Sequence, residues 1–362
     1  RATEGKTLEF TRNLDSPPGV LRTLVAFANT AGGKLLIGVE DGTHAVCGVA
    51  DPLRLEERLA SLIADSIEPR LVPDLEILPW RNAQLIAITV FPSQNRPHHL
   101  RREGAENGTY VRVGSTNRRA DAALIAEMRR HALGECFDEQ PLPALDSEAI
   151  DFRLASESFA PVRNLERGDL VTLRLLTQHQ GRAVPTIGGL LLFGRDRLPH
   201  FPDAWIQVGR FAGADKARIL DHVELTGHPI AAIEDSIAFV QRHLQRGADI
   251  GAVRRTDRWT LPPAAVREAV INAVVHADYA QRGAPIRIAL YDDRLEIESP
   301  GLLPFGLVVE DLRQGISRLR NRVIGRVFHE LGLIEQWGSG IQRMTAACRE
   351  AGLPEPQLEE IG

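Results

Sequence analysis

Arg267–Tyr279 reads REAVINAVVHADY and sets Glu268, Asn272 and His276 at four-residue steps. On a helix this spacing stacks the three polar side chains on one face, while Ala269, Val270, Ala273 and Val274 turn other faces inward. A carboxylate and a carboxamide one turn apart suit a water and a magnesium ion beside a nucleotide phosphate. Taken alone, the same pattern also describes a surface helix with an ordinary polar stripe. The sequence downstream favours the first reading. After QRGAP comes Ile286–Ser299, whose apolar residues alternate on both sides of Asp292-Asp293, as in two strands joined by a tight turn. SPGLLP (Ser299–Pro304) cannot continue a strand. Gly338-Ser339-Gly340 then opens a helical pattern, where outward backbone N–H groups and the helix dipole favour an anion.

In this order of parts, residues 261–353 resemble the divergent ATP-binding domain of the GHKL superfamily, the class of gyrase B, MutL and histidine kinases. The resemblance implies that Glu268 positions or activates water, that Asn272 binds Mg2+, and that Gly338 and Gly340 contact the phosphates of ATP. It also places Gly301 in a cofactor-binding turn, although Ser299-Pro300-Gly301 lacks the aspartate that reads adenine in many relatives. Arg313, Arg318, Arg320, Arg322 and Arg326 make the intervening lid-like segment basic. Most of these face solvent in this reading, with Arg320 or Asn321 directed to the phosphates.

The chain has 362 residues, 43% of them hydrophobic, which is enough for two or three domains. With 25% charged residues and a net charge of −5, any nucleic-acid surface has to be a local patch. No run approaches the roughly 18 apolar residues of a membrane span, and no charged-apolar-small leader opens the chain. The expectation is a soluble, cytoplasmic protein with no membrane partner. Cys47, Cys136 and Cys348 lack paired spacing, which excludes a disulfide framework or thiolate zinc knuckle and leaves them as buried small hydrophobes.

At the N-terminal end, Leu21, Leu24, Val25 and Ala28 mark an amphipathic helix ended by Gly32-Gly33, and Lys34–Val39 reads as a buried strand. A helix is expected over Asp51–Glu68, strands over Leu75–Pro79, Leu85–Phe91 and Gly108–Gly114, and an Asp-capped helix over Asp121–Leu133. The sum is an α+β module of ordinary domain size. Arg96, His98, His99, Arg101 and Arg102 precede the GTYVRVG strand, and Arg112, Arg118 and Arg119 lie within and after it. Such a cluster suits phosphates, and equally a solvated basic loop.

The motifs EFTR, AFANTAGGKLLIGVEDG and TYVRVGSTNRRAD together make residues 3–133 similar to the Schlafen AlbA-type domain. That resemblance implies a nucleic-acid-binding module, with Arg101, Arg102, Arg112, Arg118 and Arg119 as its contacts. Vertebrate relatives include metal-dependent RNases with two Glu residues five positions apart and a later Asp. Glu4 and Glu9 match that spacing, and Asp41 is the third acid, with Glu40 adjacent. Three convergent carboxylates would hold Mg2+ or Mn2+ at a scissile phosphate. The competing reading pairs Glu9 with Arg12 or Arg112 on a structural strand.

Residues 134–155 are acidic and proline-containing and read as a linker, and 156–260 as a middle segment packing on the C-terminal α/β sandwich. Within it, helices are expected at Leu165–Gln178 and Ala231–Leu244, and PTIGGLLLFGRDRLPHFPDAWIQVGRF as strand, loop, strand. The two resemblances imply an ATP-binding regulator, transcriptional or defence-related, that binds DNA or RNA, with a homo-oligomer compatible. Two alternatives stay open: a metal-dependent endoribonuclease acting on structured RNA such as tRNA, and a non-catalytic assembly scaffold.

Overall fold

The computed structural model describes residues 3–244, 246–250, 255–335 and 338–361, with side chains left aside over 245–259. The fold is mixed α+β, as expected. The chain divides into two compact units, 1–135 with 302–309 and 359–362, and 136–301 with 310–358.

In the first unit, β1 (Leu8–Thr11), α1 (Pro17–Asn29), β2 (Gly33–Ile37), α2 (Pro52–Ser66), β3 (Asp74–Trp80) and β4 (Ala83–Val90) follow in order. The sheet order is β1-β2-β4-β3, with β1 parallel to β2 and the other pairs antiparallel. Pro17 starts α1, where its missing N–H costs nothing, and the helix buries Leu21, Leu24, Val25, Phe27 and Ala28 against the sheet's Leu35, Ile37, Ile86 and Ile88. A two-stranded ribbon follows, β5 (Tyr110–Val113) and β6 (Thr116–Arg119), then α3 (Ala122–Ala132), whose Asp121 cap accepts from the Leu124 N–H at 2.8 Å. Asn29 fastens α1 to the ribbon: buried, it donates to the carbonyls of His98 and Tyr110 and accepts from the His98 N–H.

The second unit has one large core running from Ile150 to Phe328. Its elements are α4 (Phe152–Phe159), α5 (Ile187–Phe193), β7 (Ile206–Phe211), β8 (Ile219–Leu225), α6 (Pro229–His243), α7 (Pro263–His276), β9 (Ile286–Leu290), β10 (Leu295–Glu298), α8 (Arg322–Glu330) and α9 (Gly340–Glu350). The sheet order is β8-β7-β9-β10, and β7 pairs with β9 in parallel, so the middle segment supplies half of the sheet. Among the described residues no helix is long and apolar enough to cross a membrane.

Four expectations give way here. PTIGGLLLFG, expected as a strand, holds the helix α5, capped by Thr186 Oγ1 on the Gly189 N–H at 2.9 Å; a short, wholly apolar run has no periodicity to separate strand from helix. Leu165–Gln178 holds only a short helix, Asp169–Thr172, before a hairpin of Leu176–His179 with Arg182–Pro185, turned by Gln180 and Gly181 at positive φ. The expected linker is packed instead. Its Leu142 N–H bonds the Pro185 carbonyl, and Asp138 is 0% exposed. The Asp138 carboxylate receives the N–H groups of Arg322, Val323 and Ile324 at 3.0, 2.7 and 3.1 Å and so caps α8. Of the cysteines only Cys348 is buried; Cys47 is exposed.

Removing this cap strands buried donors. Asp138→Ala is expected to destabilise the protein by about 2–4 kcal/mol in urea unfolding. Burial pushes the Asp138 carboxyl up to about 7, against the lowering effect of its three backbone donors. The folded chain then keeps a proton that the unfolded chain releases near pH 4, so stability falls as pH rises from about 4 to about 7, and Asp138→Asn flattens that slope.

Candidate functional site

Glu268 and Asn272 do share a face of α7, and Asn272 Nδ2 donates to Glu268 Oε1 at 3.2 Å. α7 is apolar on most sides, burying Val266, Val270, Ile271, Val274 and Val275 in the core. Its Ala265 and Ala269 pack against Ile341, Met344 and Cys348 of α9. Small residues at that contact let the start of α9 come close. A Cβ at Gly340 would collide with Glu268 Oε1, so any larger residue there would push the Glu268 side chain out of its present position. One turn further, Arg343 reaches back and its guanidinium lies 3.0 Å from Glu268 Oε2 while also pairing with Glu335. Glu268 is therefore held from both sides, with only 13% of its side chain exposed. Gly338, at φ +69, packs against the Gly315 carbonyl and Ser317. Glu268, Asn272, Gly338 and Gly340 are thus gathered in one place. Beside them lies a cavity of about 230 Å³ lined by Ala264, Arg267, Glu268, Gly332, Leu333, Ile334, Glu335 and Arg343.

Gly301 and Asn321 sit elsewhere, at the far end of α7. Asn321 is 1% exposed and donates from Nδ2 to the carbonyls of Val275 and Ala277, both at 2.8 Å, which satisfies the helix C-terminus. Its amide nitrogen is thereby committed to the fold rather than to a ligand, while Oδ1 is buried with no hydrogen-bond partner among the described residues. Gly301 takes φ +104, and a Cβ there would stand 2.7 Å from Asp278 Cβ and 3.1 Å from an Arg320 nitrogen. The glycine is required by the Asp278–Arg320 ion pair beneath it, 3.6 Å long and nearly buried. His276 is pushed down to about 4 by burial and by the neighbouring Arg320 charge, so its ring is neutral at pH 7.

In the first unit the Glu-Phe motif has a structural use. Glu9, on β1, pairs with Arg112 of β5, whose guanidinium also donates to the Gly5 carbonyl at 3.2 Å and Asn117 Oδ1 at 2.9 Å and lies over the Phe27 ring. Arg112 is 1% exposed, so it is withdrawn from the set of nucleic-acid contacts. Burial raises the Glu9 pKa, opposed by Arg112, with smaller like-charge contributions from Glu4 and Asp41. Glu4 accepts from the Phe10 N–H at 2.9 Å, and Asp41 lies exposed in the loop after β2. Among the described residues no three His, Cys, Asp or Glu side chains are gathered to hold a metal ion. Glu4, Glu9 and Asp41 are near enough to influence one another but do not form a metal centre. Arg96 and His98 of the basic cluster are buried too, His98 between the Pro69 carbonyl and Ser93 Oγ at 2.8 and 2.7 Å. Arg101, Arg102, Arg118 and Arg119 are exposed; Arg101 lies 3.7 Å from Glu68, and Arg118 and Arg119, adjacent on β6, point to opposite faces.

The residues missed by sequence reasoning are Arg343 and Asp138. Arg343 was detectable, because it stands three residues after Gly340 on the same helix and so shares its face.

Two family descriptions match separate stretches of the chain. Residues 4–121 match the family described as Schlafen, AlbA_2. Residues 283–362 match the HATPase_c_4 family, described as "Putative ATP-dependent DNA helicase recG C-terminal". Both regions of resemblance are therefore present in the chain; the second match includes Gly301, Gly338, Gly340 and Arg343 and begins after Glu268 and Asn272. The crystal structure of the DIP2311 protein from Corynebacterium diphtheriae superposes with a TM-score of 0.52 at 21% identity, covering 99% of this chain and 73% of that one, which shows a shared fold. The solution structure of the N-terminal domain of a RecG-related protein from Nitrosomonas europaea covers 33% of this chain and 86% of its own at 27% identity, with a TM-score of only 0.27. No curated protein matches.

The two groups of arginines should separate in a stability measurement. Arg112→Ala leaves Glu9 half-buried and unpaired and is expected to cost about 3–5 kcal/mol, whereas Arg118→Ala with Arg119→Ala should stay within about 0.5 kcal/mol of the parent by thermal unfolding.

Proposed function

We propose that the chain is a nucleic-acid-binding protein whose second unit binds ATP with Mg2+ and uses it as a conformational switch. The observation that carries the nucleotide reading is the apposition of Glu268 and Asn272 with the Gly338–Gly340 turn at the start of α9. The match of residues 283–362 to a family described as ATP-dependent supports it. Asn272 Oδ1 is a hard oxygen donor of the kind magnesium takes, and it would hold the ion while the phosphates supply its other ligands. The metal, when bound, neutralises phosphate charge. Glu268 would orient water next to it, and whether turnover follows depends on freeing its carboxylate from Arg343. Backbone N–H groups at the start of α9 would face the phosphates.

The first unit supplies the nucleic-acid reading, supported by its match to the Schlafen, AlbA_2 family and by the exposed Arg101, Arg102, Arg118 and Arg119. A transcriptional or defence role and assembly into a homo-oligomer are compatible with it. The endoribonuclease reading has no comparable support, because Glu9 is spent on Arg112.

Isothermal titration of the whole chain with ATP and Mg2+ tests the first half: binding is expected, with a loss of about tenfold or more in Asn272→Ala, and a silent parent protein would refute it. For the second half, the Arg101→Ala/Arg102→Ala/Arg118→Ala/Arg119→Ala variant should bind DNA and RNA more weakly, with a shallower salt dependence in filter binding; equal binding at all salt concentrations would remove the basic surface from the function.

A further inference from the structure

The Glu268–Arg343 pair closes on itself, and its surroundings say what would open it. Arg343 sits in the first turn of α9, three residues past Gly340, with its side chain 43% exposed and so able to move. Its two carboxylate partners are unequal. Glu335 is 59% exposed and holds Arg343 weakly, since solvent screens such a pair. Glu268, at 13% exposure, is held firmly, but it keeps a second partner in Asn272 when Arg343 leaves. The adjoining cavity of about 230 Å³ has Arg267 and Arg343 in its wall, and Leu333 and Ile334 add apolar surface to it. The Arg267 guanidinium is turned to the Leu333 carbonyl at 3.4 Å, at the same edge. A planar, always-charged guanidinium prefers a phosphate, which carries more charge and accepts two parallel bonds, to a carboxylate already shared with an amide.

We infer that Arg343 is a phosphate-sensing residue for the nucleotide proposed above, one that holds Glu268 in an ion pair until the terminal phosphate of a triphosphate draws the guanidinium away. The inference rests on the nucleotide reading of the same site. Occupation by a triphosphate frees the Glu268 carboxylate; a diphosphate, one phosphate shorter, leaves the pair closed. Arg343 thereby discriminates ATP from ADP, and Glu268 competes with the nucleotide for the same guanidinium.

The test compares ATP and ADP affinities, each with Mg2+, by titration calorimetry on the whole chain. The parent is expected to prefer ATP. Arg343→Ala should lower that preference at least tenfold by weakening ATP alone, and Arg343→Lys should restore part of it. Glu268→Gln removes the competitor and should tighten ATP binding several-fold, but only while Arg343 is present, so the double variant must lose the gain. Circular dichroism on each variant checks that it folds, and Glu268→Gln carries the test if Arg343→Ala does not. Nucleotide binding with an ATP-to-ADP ratio unchanged in Arg343→Ala, or a Glu268→Gln gain that persists without Arg343, overturns this inference and leaves the proposed function standing. A parent protein that binds neither nucleotide overturns both.

Discussion

Two helix ends that are buried in the same place must find partners without water, and the second unit is organised around that need. The C-terminus of α7 presents the carbonyls of Val275 and Ala277, and the N-terminus of α8 presents the N–H groups of residues 322–324. Asn321 serves the first set through its amide, and Asp138, from a segment more than 180 residues earlier, serves the second. A buried carboxylate is costly, but one that receives three donors at the positive end of a helix recovers much of the cost. The arrangement fixes α7 and α8 relative to each other and, through residue 138, ties the stretch after Cys136 to the core. It also leaves Asn321 no capacity for a ligand contact on its donor side.

At the opposite end of α7 the constraint is steric. The alanines at 265 and 269 and the glycine at 340 allow α9 to lie directly on the face that carries Glu268 and Asn272. Larger residues would hold the helices apart and open a gap there. Close approach brings an acid, an amide, an arginine and a helix start together. It also lets the arginine neutralise the acid. The same principle governs the first unit, where a buried Arg112 draws Glu9, Asn117 and the Gly5 carbonyl around it and converts a group that looks catalytic in one dimension into a structural tie. In each unit one of the carboxylates singled out by spacing, Glu9 and Glu268, is paired with an arginine far away in sequence.

How much could be read in advance varied with the type of signal. Helices with long amphipathic or capped patterns, such as those expected over Asp51–Glu68, Asp121–Leu133 and Ala231–Leu244, are found within a few residues of their expected limits, as α2, α3 and α6. The hairpin about Asp292-Asp293 is likewise present, as β9 and β10. What failed was short or uniformly apolar. The run Ile187–Phe193 is buried on every side, so nothing in its pattern distinguishes a helix, and the linker-like stretch has a composition that says nothing of the buried role of one aspartate. The basic cluster of the first unit failed for another reason: adjacent charges in sequence were divided by the fold into Arg96, His98 and Arg112 inside and Arg101, Arg102, Arg118 and Arg119 outside.

The amino-acid sequence by itself determined the local geometry, that Glu268 and Asn272 share a helical face and that a glycine turn opens α9, because helical period and backbone freedom are properties of a few neighbouring residues. It also carried enough of two family patterns to identify both regions of resemblance. The tertiary structure decided which of the polar groups remain available. Glu9, Arg112 and Asn321 are consumed by buried partners, and Glu268 is held by an arginine 75 residues away. Desolvation and ion pairing depend on what the folded chain brings within a few ångströms, and no window of sequence contains both members of such a pair.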